Sequence, residues 1–136
     1  MGGLKGTFGN FTVGGKVGYD TTTEEFGVAG WVETTFDPVS LKVIGFYSSG
    51  ANLYWDDAEW SVIVGANVAL TEKLSAAADF QYWDDTGVAA DPEWGLTAAL
   101  VYNLVPGLQV RLEGKYTELN GGGDESWGFL RFDRNF

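Results

Sequence analysis

The chain has 136 residues, room for one domain rather than two, and a formal net charge of −11. That acidity argues against nucleic acid as a partner, because such a partner requires a basic face. The sequence has no Cys and no His, which removes thiol chemistry, the commonest general base and the commonest metal ligand, so neither an enzyme nor a bound cofactor is expected.

No apolar run approaches the ~20 residues of a transmembrane helix. The opening MGGLKG does not read as a secretory signal, and the expectation is a signal removed and replaced by a start Met. Residues 3–8, GLKGTF, read as the stub of a strand, followed by a tight turn at Gly9-Asn10. Eight main strands are then expected at about 11–20, 26–36, 41–50, 60–71, 74–84, 94–105, 108–118 and 127–136. Short links at 37–40 (DPVS), 71–73 (TEK) and 105–107 (VPG) alternate with longer polar ones, which describes an up-and-down antiparallel meander. The aromatics repeat with it. Phe26, Trp60 and Trp94 are each 34 residues apart, and Trp127 follows 33 later. A period of this size also occurs in helical repeats, but the two-residue alternation inside each unit excludes them. The whole of 1–136 is expected to form one domain, with 1–10 as its stub and turn.

Alternation sorts the side chains into two faces. In 108–118, Leu108, Val110, Leu112, Gly114 and Tyr116 share one face, and Gln109, Arg111, Glu113, Lys115 and Thr117 share the other. A soluble sandwich would show the same alternation. Three features favour a membrane instead. Tyr19, Tyr47, Tyr82 and Tyr116 end the upgoing strands on the apolar side, and Phe26, Trp60, Trp94 and Trp127 begin the returning ones, an aromatic girdle of the kind found at a membrane interface. Counting back from Phe136 points Trp127 to the other face, an exception within this set. The apolar bands run for roughly nine to eleven residues, the length of a tilted membrane strand. Thirteen carboxylates, from Asp20 and Glu24 through Asp84 to Glu125, lie at the long-loop end with no Lys or Arg among them. Strands in lipid must close into a barrel to satisfy their backbones, so the last strand is expected to pair with an early one. The fold class is therefore an all-β transmembrane up-and-down antiparallel barrel of about eight strands.

The closing stretches YNLVPGLQVRLEGKYTEL (102–119) and WGFLRFDRNF (127–136) resemble the final strands of general porins from alphaproteobacteria, which turn on Val-Pro-Gly and finish R-F-x-R-x-F. Arg131, Phe132, Arg134 and Phe136 fill those places. The resemblance implies passive diffusion of ions and small hydrophilic solutes through a trimeric, sixteen-stranded pore with a constriction loop. It also implies a place in the bacterial outer membrane, and it makes Phe132 and Phe136 the signal read by the barrel-assembly machinery. The chain departs from that pattern in having half the strands and no long internal loop, which suggests a porin-like chain of minimal size, natural or engineered. Lipid bilayer, lipopolysaccharide or detergent would surround it, and copies could associate.

The other face would then line the lumen, with Lys16, Trp31, Glu33, Lys42, Phe46, Asp79, Arg111, Glu113, Lys115, Arg131 and Asp133. An eight-stranded ring encloses just enough space for side chains. The alternative is thus a non-conducting structural barrel whose interior is filled by an ion-paired network, with Trp31 and Phe46 as its bulk. The two YWDD stretches at 54–57 and 82–85 read as solvated loop tips, with divalent bridging to lipopolysaccharide as the alternative use. NGGGDE at 120–125 is a hairpin loop, since no helix and no Lys follow it.

Overall fold

A computed structural model describes residues 1–50, 58–84 and 92–135. All of its regular structure is strand: β1 (Gly2–Phe8), β2 (Phe11–Asp20), β3 (Glu25–Phe36), β4 (Val39–Ser48), β5 (Trp60–Ala69), β6 (Leu74–Trp83), β7 (Pro92–Val105), β8 (Leu108–Leu119) and β9 (Asp124–Arg134). They form one sheet in chain order, each strand antiparallel to the next. The up-and-down, all-β reading therefore holds.

Three details differ from the sequence expectation, each for a local reason. Residues Gly2–Phe8 make a full strand, paired with β2 from Gly2↔Val17 to Phe8↔Phe11, so the count is nine rather than eight. The turn at 37–40 tightens to Asp37-Pro38, because Val39 and Ser40 already pair with Phe36 and Thr35. The last strand begins three residues earlier than expected, since Asp124 pairs with Glu118 across a short loop.

The expected pairing of the last strand with an early one is not seen among the described residues. β1 pairs only with β2, and β9 only with β8, so the sheet has two edges. The edge of β2 that an eight-stranded ring would use is occupied by β1 along Gly2–Phe8. Nine alternating strands also leave β1 and β9 running in the same direction, both from the long-loop end to the short-turn end.

The short turns use residues suited to them. Gly107 takes φ +81 and lies under the Asn135 carbonyl, where a Cβ would collide with it. At the β5–β6 turn the Thr71 hydroxyl accepts hydrogen bonds from the backbone N–H groups of Lys73 (3.2 Å) and Leu74 (3.0 Å).

Register fixes the two faces strand by strand. One is a continuous apolar surface. Val13, Val32, Val43, Val64, Phe80, Leu96 and Tyr116 are successive cross-strand partners from β2 to β8. These partners present Val, Phe and Leu side chains to the outside. A second row on this face, Ala66–Ala78–Ala98–Gly114–Gly128, carries almost no side chain. The other face carries the charges along Glu33–Lys42–Gly65–Asp79–Thr97–Lys115–Trp127. A soluble domain would bury its apolar face, but among the described residues no large side chain of that face is fully buried, and the few buried residues lie toward the long-loop end of the polar face. Among them are Asp20, Ala29, Ser48, Ser61, Trp83 and Thr117.

Candidate functional site

The candidate site is the wall itself. At the long-loop end of the apolar face, register places Tyr19 opposite Phe26, Tyr47 opposite Trp60, and Tyr82 opposite Trp94. Between these register partners the rings touch in pairs, with centroids 6.0 Å apart for Phe26–Tyr47, 5.2 Å for Trp60–Tyr82 and 5.3 Å for Trp94–Tyr116. The Tyr116 hydroxyl donates to Glu118 at 2.7 Å, so this ring has an apolar body and a polar tip. The repeat in the sequence is thus a band of rings at one height, in register from strand to strand. It reaches from β2 to β8.

Trp127 stands apart from that band. Its cross-strand partner is Lys115, which puts it on the polar face, and its ring stacks on Phe129 at 5.5 Å and 9°. The 33-residue step that precedes it, where the earlier steps are 34, accounts for this, since a one-residue change in phase turns a strand position to the opposite face. Phe132, Leu130 and Gly128 remain on the apolar face opposite Val110, Leu112 and Gly114.

A second aromatic band, not anticipated from the sequence, lies at the short-turn end of the apolar face. Phe8 is opposite Phe11, Phe11 packs edge-on against Phe36 with centroids 6.0 Å apart, and Tyr102 lines up with Val110 and Phe132. These rings do not keep the 34-residue spacing, and the available signal was their shared even or odd position relative to the upper band. Tyr19 and Phe11 lie eight steps apart on β2, and Phe26 and Phe36 ten steps apart on β3. At ~3.3 Å per residue and a tilt of about 40°, the bands are ~20–25 Å apart.

The residues expected to line a lumen all share the polar face of the sheet. Glu33 and Lys42 are cross-strand partners with a 4.0 Å ion pair. Arg111 pairs with Glu113 at 3.3 Å, and Arg131 with Asp133 at 2.9 Å, each along its own strand rather than across strands. Arg111 and Arg131 face each other in register, which is tolerable because each guanidinium already has its own carboxylate. Asp79 and Lys115 are separated by Thr97 in the same row and form no ion pair among the described residues. Lys16 partners Ala29 in register, and Phe46 lies between Ala29 and Ser61. Trp31 lies across Gly14, where a Cβ would run into its indole. Trp31, Ile44 and Ile63 make an apolar patch within this otherwise polar face.

At the rim, the Ser49 hydroxyl donates to the Glu25 carboxylate, and the Ser49 Oγ accepts from the Phe26 N–H at 2.9 Å, tying the start of β3 to the residue after β4. The whole of the first YWDD stretch (54–57), Asp85 of the second, and Asp91 lie outside the described residues, as does Phe136. No group of three or more potential metal ligands occurs among the described residues.

A sheet with an exposed apolar face, aromatic bands at both ends of it and charges on the reverse belongs to the class of transmembrane β-barrel proteins. Comparison with known proteins makes that specific. A family model described as the porin subfamily matches residues 1–128, and the chain belongs to that family. It is 36% identical to porin Omp2b of Brucella neotomae and 34% identical to porin Omp2a of Brucella suis biovar 1, over the whole chain and 39% of each relative. It is 31% identical to the putative outer membrane protein y4fJ of Sinorhizobium fredii, over 73% of the chain and 30% of that protein. No solved structure matches. The chain thus spans about two-fifths of the length of the Brucella porins. It is a porin-like, membrane-embedded protein of the bacterial outer membrane, and its family is one of channels rather than enzymes.

Proposed function

We propose that residues 1–136 form, as a single domain, part of the wall of a water-filled pore that passes ions and small hydrophilic solutes without expenditure of energy. The observation that carries this reading is the two-faced register: apolar side chains between two aromatic bands on one side, and the row Glu33–Lys42–Asp79–Lys115 on the other. In this reading Tyr19, Phe26, Tyr47, Trp60, Tyr82, Trp94 and Tyr116 sit at the outer-leaflet interface. Lipid or lipopolysaccharide contacts the apolar face. Trp127 joins the lumen residues. Phe132 lies on the lipid side near the end of β9, which suits an assembly signal for the barrel-assembly machinery. The filled eight-stranded barrel is not favoured, because β1 holds the strand edge it would need.

The natural absence of Cys makes the test clean. With the protein in outer-membrane vesicles, Thr97→Cys and Lys115→Cys should react with a water-soluble maleimide and reduce ion flux once modified. Val43→Cys and Val64→Cys should do neither. Labelling of Val43→Cys and Val64→Cys in preference to the other two would reverse the faces and remove the pore. The carboxylates at the rim should make the flux cation-selective at low salt.

A further inference from the structure

Three ion pairs hold charges of the polar face among the described residues: Glu33–Lys42, Arg111–Glu113 and Arg131–Asp133. Asp79 and Lys115 belong to none of them, and their side chains make no hydrogen bond among those residues. They are opposite charges on one row, Asp79–Thr97–Lys115, with β7 between them, and all three residues are half-buried. The neighbouring charges that would neutralise them are engaged elsewhere. Lys42, across Gly65 from Asp79, is held by Glu33, and Glu113, two residues from Lys115, is held by Arg111. On the same face β7 offers Gly95 and Ala99 on either side of Thr97, so no large side chain of that strand fills the gap.

Neighbouring strands lie about 4.8 Å apart, so side chains standing off β6 and β8 carry their charges about 10 Å apart across β7. A charge-assisted hydrogen bond of about 2.8 Å at each end leaves roughly 4–5 Å to span. An ammonium and a carboxylate joined through one or two carbons fill that length. Separate inorganic ions meet the same two charges one at a time, whereas in a zwitterion the first contact presents the second at high effective concentration. Resting on the pore-wall reading above, we propose that Asp79 and Lys115 bracket a lumen site for small zwitterions of the free amino-acid class. The ammonium of the solute lies on the Asp79 carboxylate, its carboxylate on the Lys115 ammonium, and its carbon over Thr97 between them.

The experiment places Thr97→Cys in the full chain, in outer-membrane vesicles, and follows its modification by an uncharged, thiol-specific methanethiosulfonate. Titration with glycine should slow the reaction progressively, about tenfold at about ten times the Kd, because only the unoccupied site reacts. Glycinamide, which keeps the ammonium alone, and acetate, which keeps the carboxylate alone, should slow it less than about twofold at the same concentration, since one solvated ion pair is worth little. Adding Asp79→Asn or Lys115→Gln should abolish the protection by glycine, and exchanging the two charges, Asp79→Lys with Lys115→Asp, should restore it. Thr12→Cys, on the same face of β2, should react at one rate with and without glycine. Protection that survives either neutral variant, that glycinamide or acetate gives in full, or that extends equally to Thr12→Cys would overturn the inference. Ready modification of Thr97→Cys with no protection by glycine would overturn it and leave the pore wall standing. An unreactive Thr97→Cys beside a reactive Val43→Cys would remove the pore wall, and the site with it.

Discussion

The β3–β4 and β8–β9 strand pairs each set one upgoing strand beside one returning strand, and they solve the same problem differently. In β3–β4 the aromatics Phe26 and Tyr47 both lie on the apolar face, and the charges Glu33 and Lys42 meet across the strands. In β8–β9 Tyr116 keeps its place while Trp127 and Phe129 turn to the polar face, and the charges pair along each strand as Arg111–Glu113 and Arg131–Asp133. The apolar row is undisturbed by this, with Leu112 opposite Leu130 and Val110 opposite Phe132. The lesson is that the lipid side dictates register. The water side accepts whatever phase results, because a ring, an amide or an ion pair can each be accommodated next to water.

The largest test of that difference is a change of phase. Deleting Gly128 would turn Leu130 and Phe132 toward the polar face, with a loss of about 1.5–3 kcal/mol for each side chain withdrawn from an apolar environment. Folding into bilayers, followed by heat-resistant mobility on gels, should fail. An extra Gly between Gly122 and Gly123 should be absorbed by the loop and leave folding intact. If both variants fold equally well, register is not set by the lipid side.

Next in size are single charges at mid-height. Leu130→Arg and Val43→Arg should each cost about 2–4 kcal/mol in urea titrations of the bilayer-embedded protein, the range for a cation on the lipid face at the midplane. Phe129→Arg is adjacent in sequence to Leu130 but opposite Glu113, and it should cost under ~1 kcal/mol. Equal costs on the two faces would erase the distinction.

Packing within the β2–β4 half comes third. Gly14→Ala would place a methyl group against the Trp31 indole, and a loss of about 1–3 kcal/mol is expected unless Trp31 is also replaced by Ala. Gly114→Ala, on the apolar face of β8, meets its nearest atom, the Trp127 carbonyl oxygen, at 3.8 Å and should be close to neutral for packing. The smallest effect belongs to the Glu33–Lys42 pair. Its side chains are 46% and 48% exposed, so Lys42→Gln should change stability by less than ~1 kcal/mol, and less again in high salt. Because β4 runs through the middle of the sheet, a large effect there would mean that the pair is sealed from water.

Much of this was readable from the residues. The two faces followed from two-residue alternation, and the upper band of rings followed from the 34-residue spacing, which antiparallel register turns into Tyr47 beside Trp60 and Tyr82 beside Trp94. The strand status of Gly2–Phe8 was underread, since three glycines weaken a strand signal that pairing with β2 then supplies. The lower band was missed because Phe8, Phe11, Phe36 and Tyr102 sit near turns of unequal length and share no period. The partners of the arginines were not deducible either. On an antiparallel sheet a long side chain reaches a carboxylate two residues along its strand as readily as one across it, and only geometry separates the two. Ring closure lay beyond local pattern altogether, because it depends on the number and direction of all the strands at once.

The two aromatic bands have a consequence for the membrane around the protein. Rings that prefer the headgroup level at both ends of the same strands act as a ruler of ~20–25 Å. A bilayer thicker than this must thin where it meets Phe11, Phe36, Tyr47 and Trp60, or leave one band stranded in hydrocarbon, at a cost of fractions of a kcal/mol per ångström. The protein thereby carries in its own side chains a preference for thin membranes, and the lipid shell next to it takes its thickness from the protein.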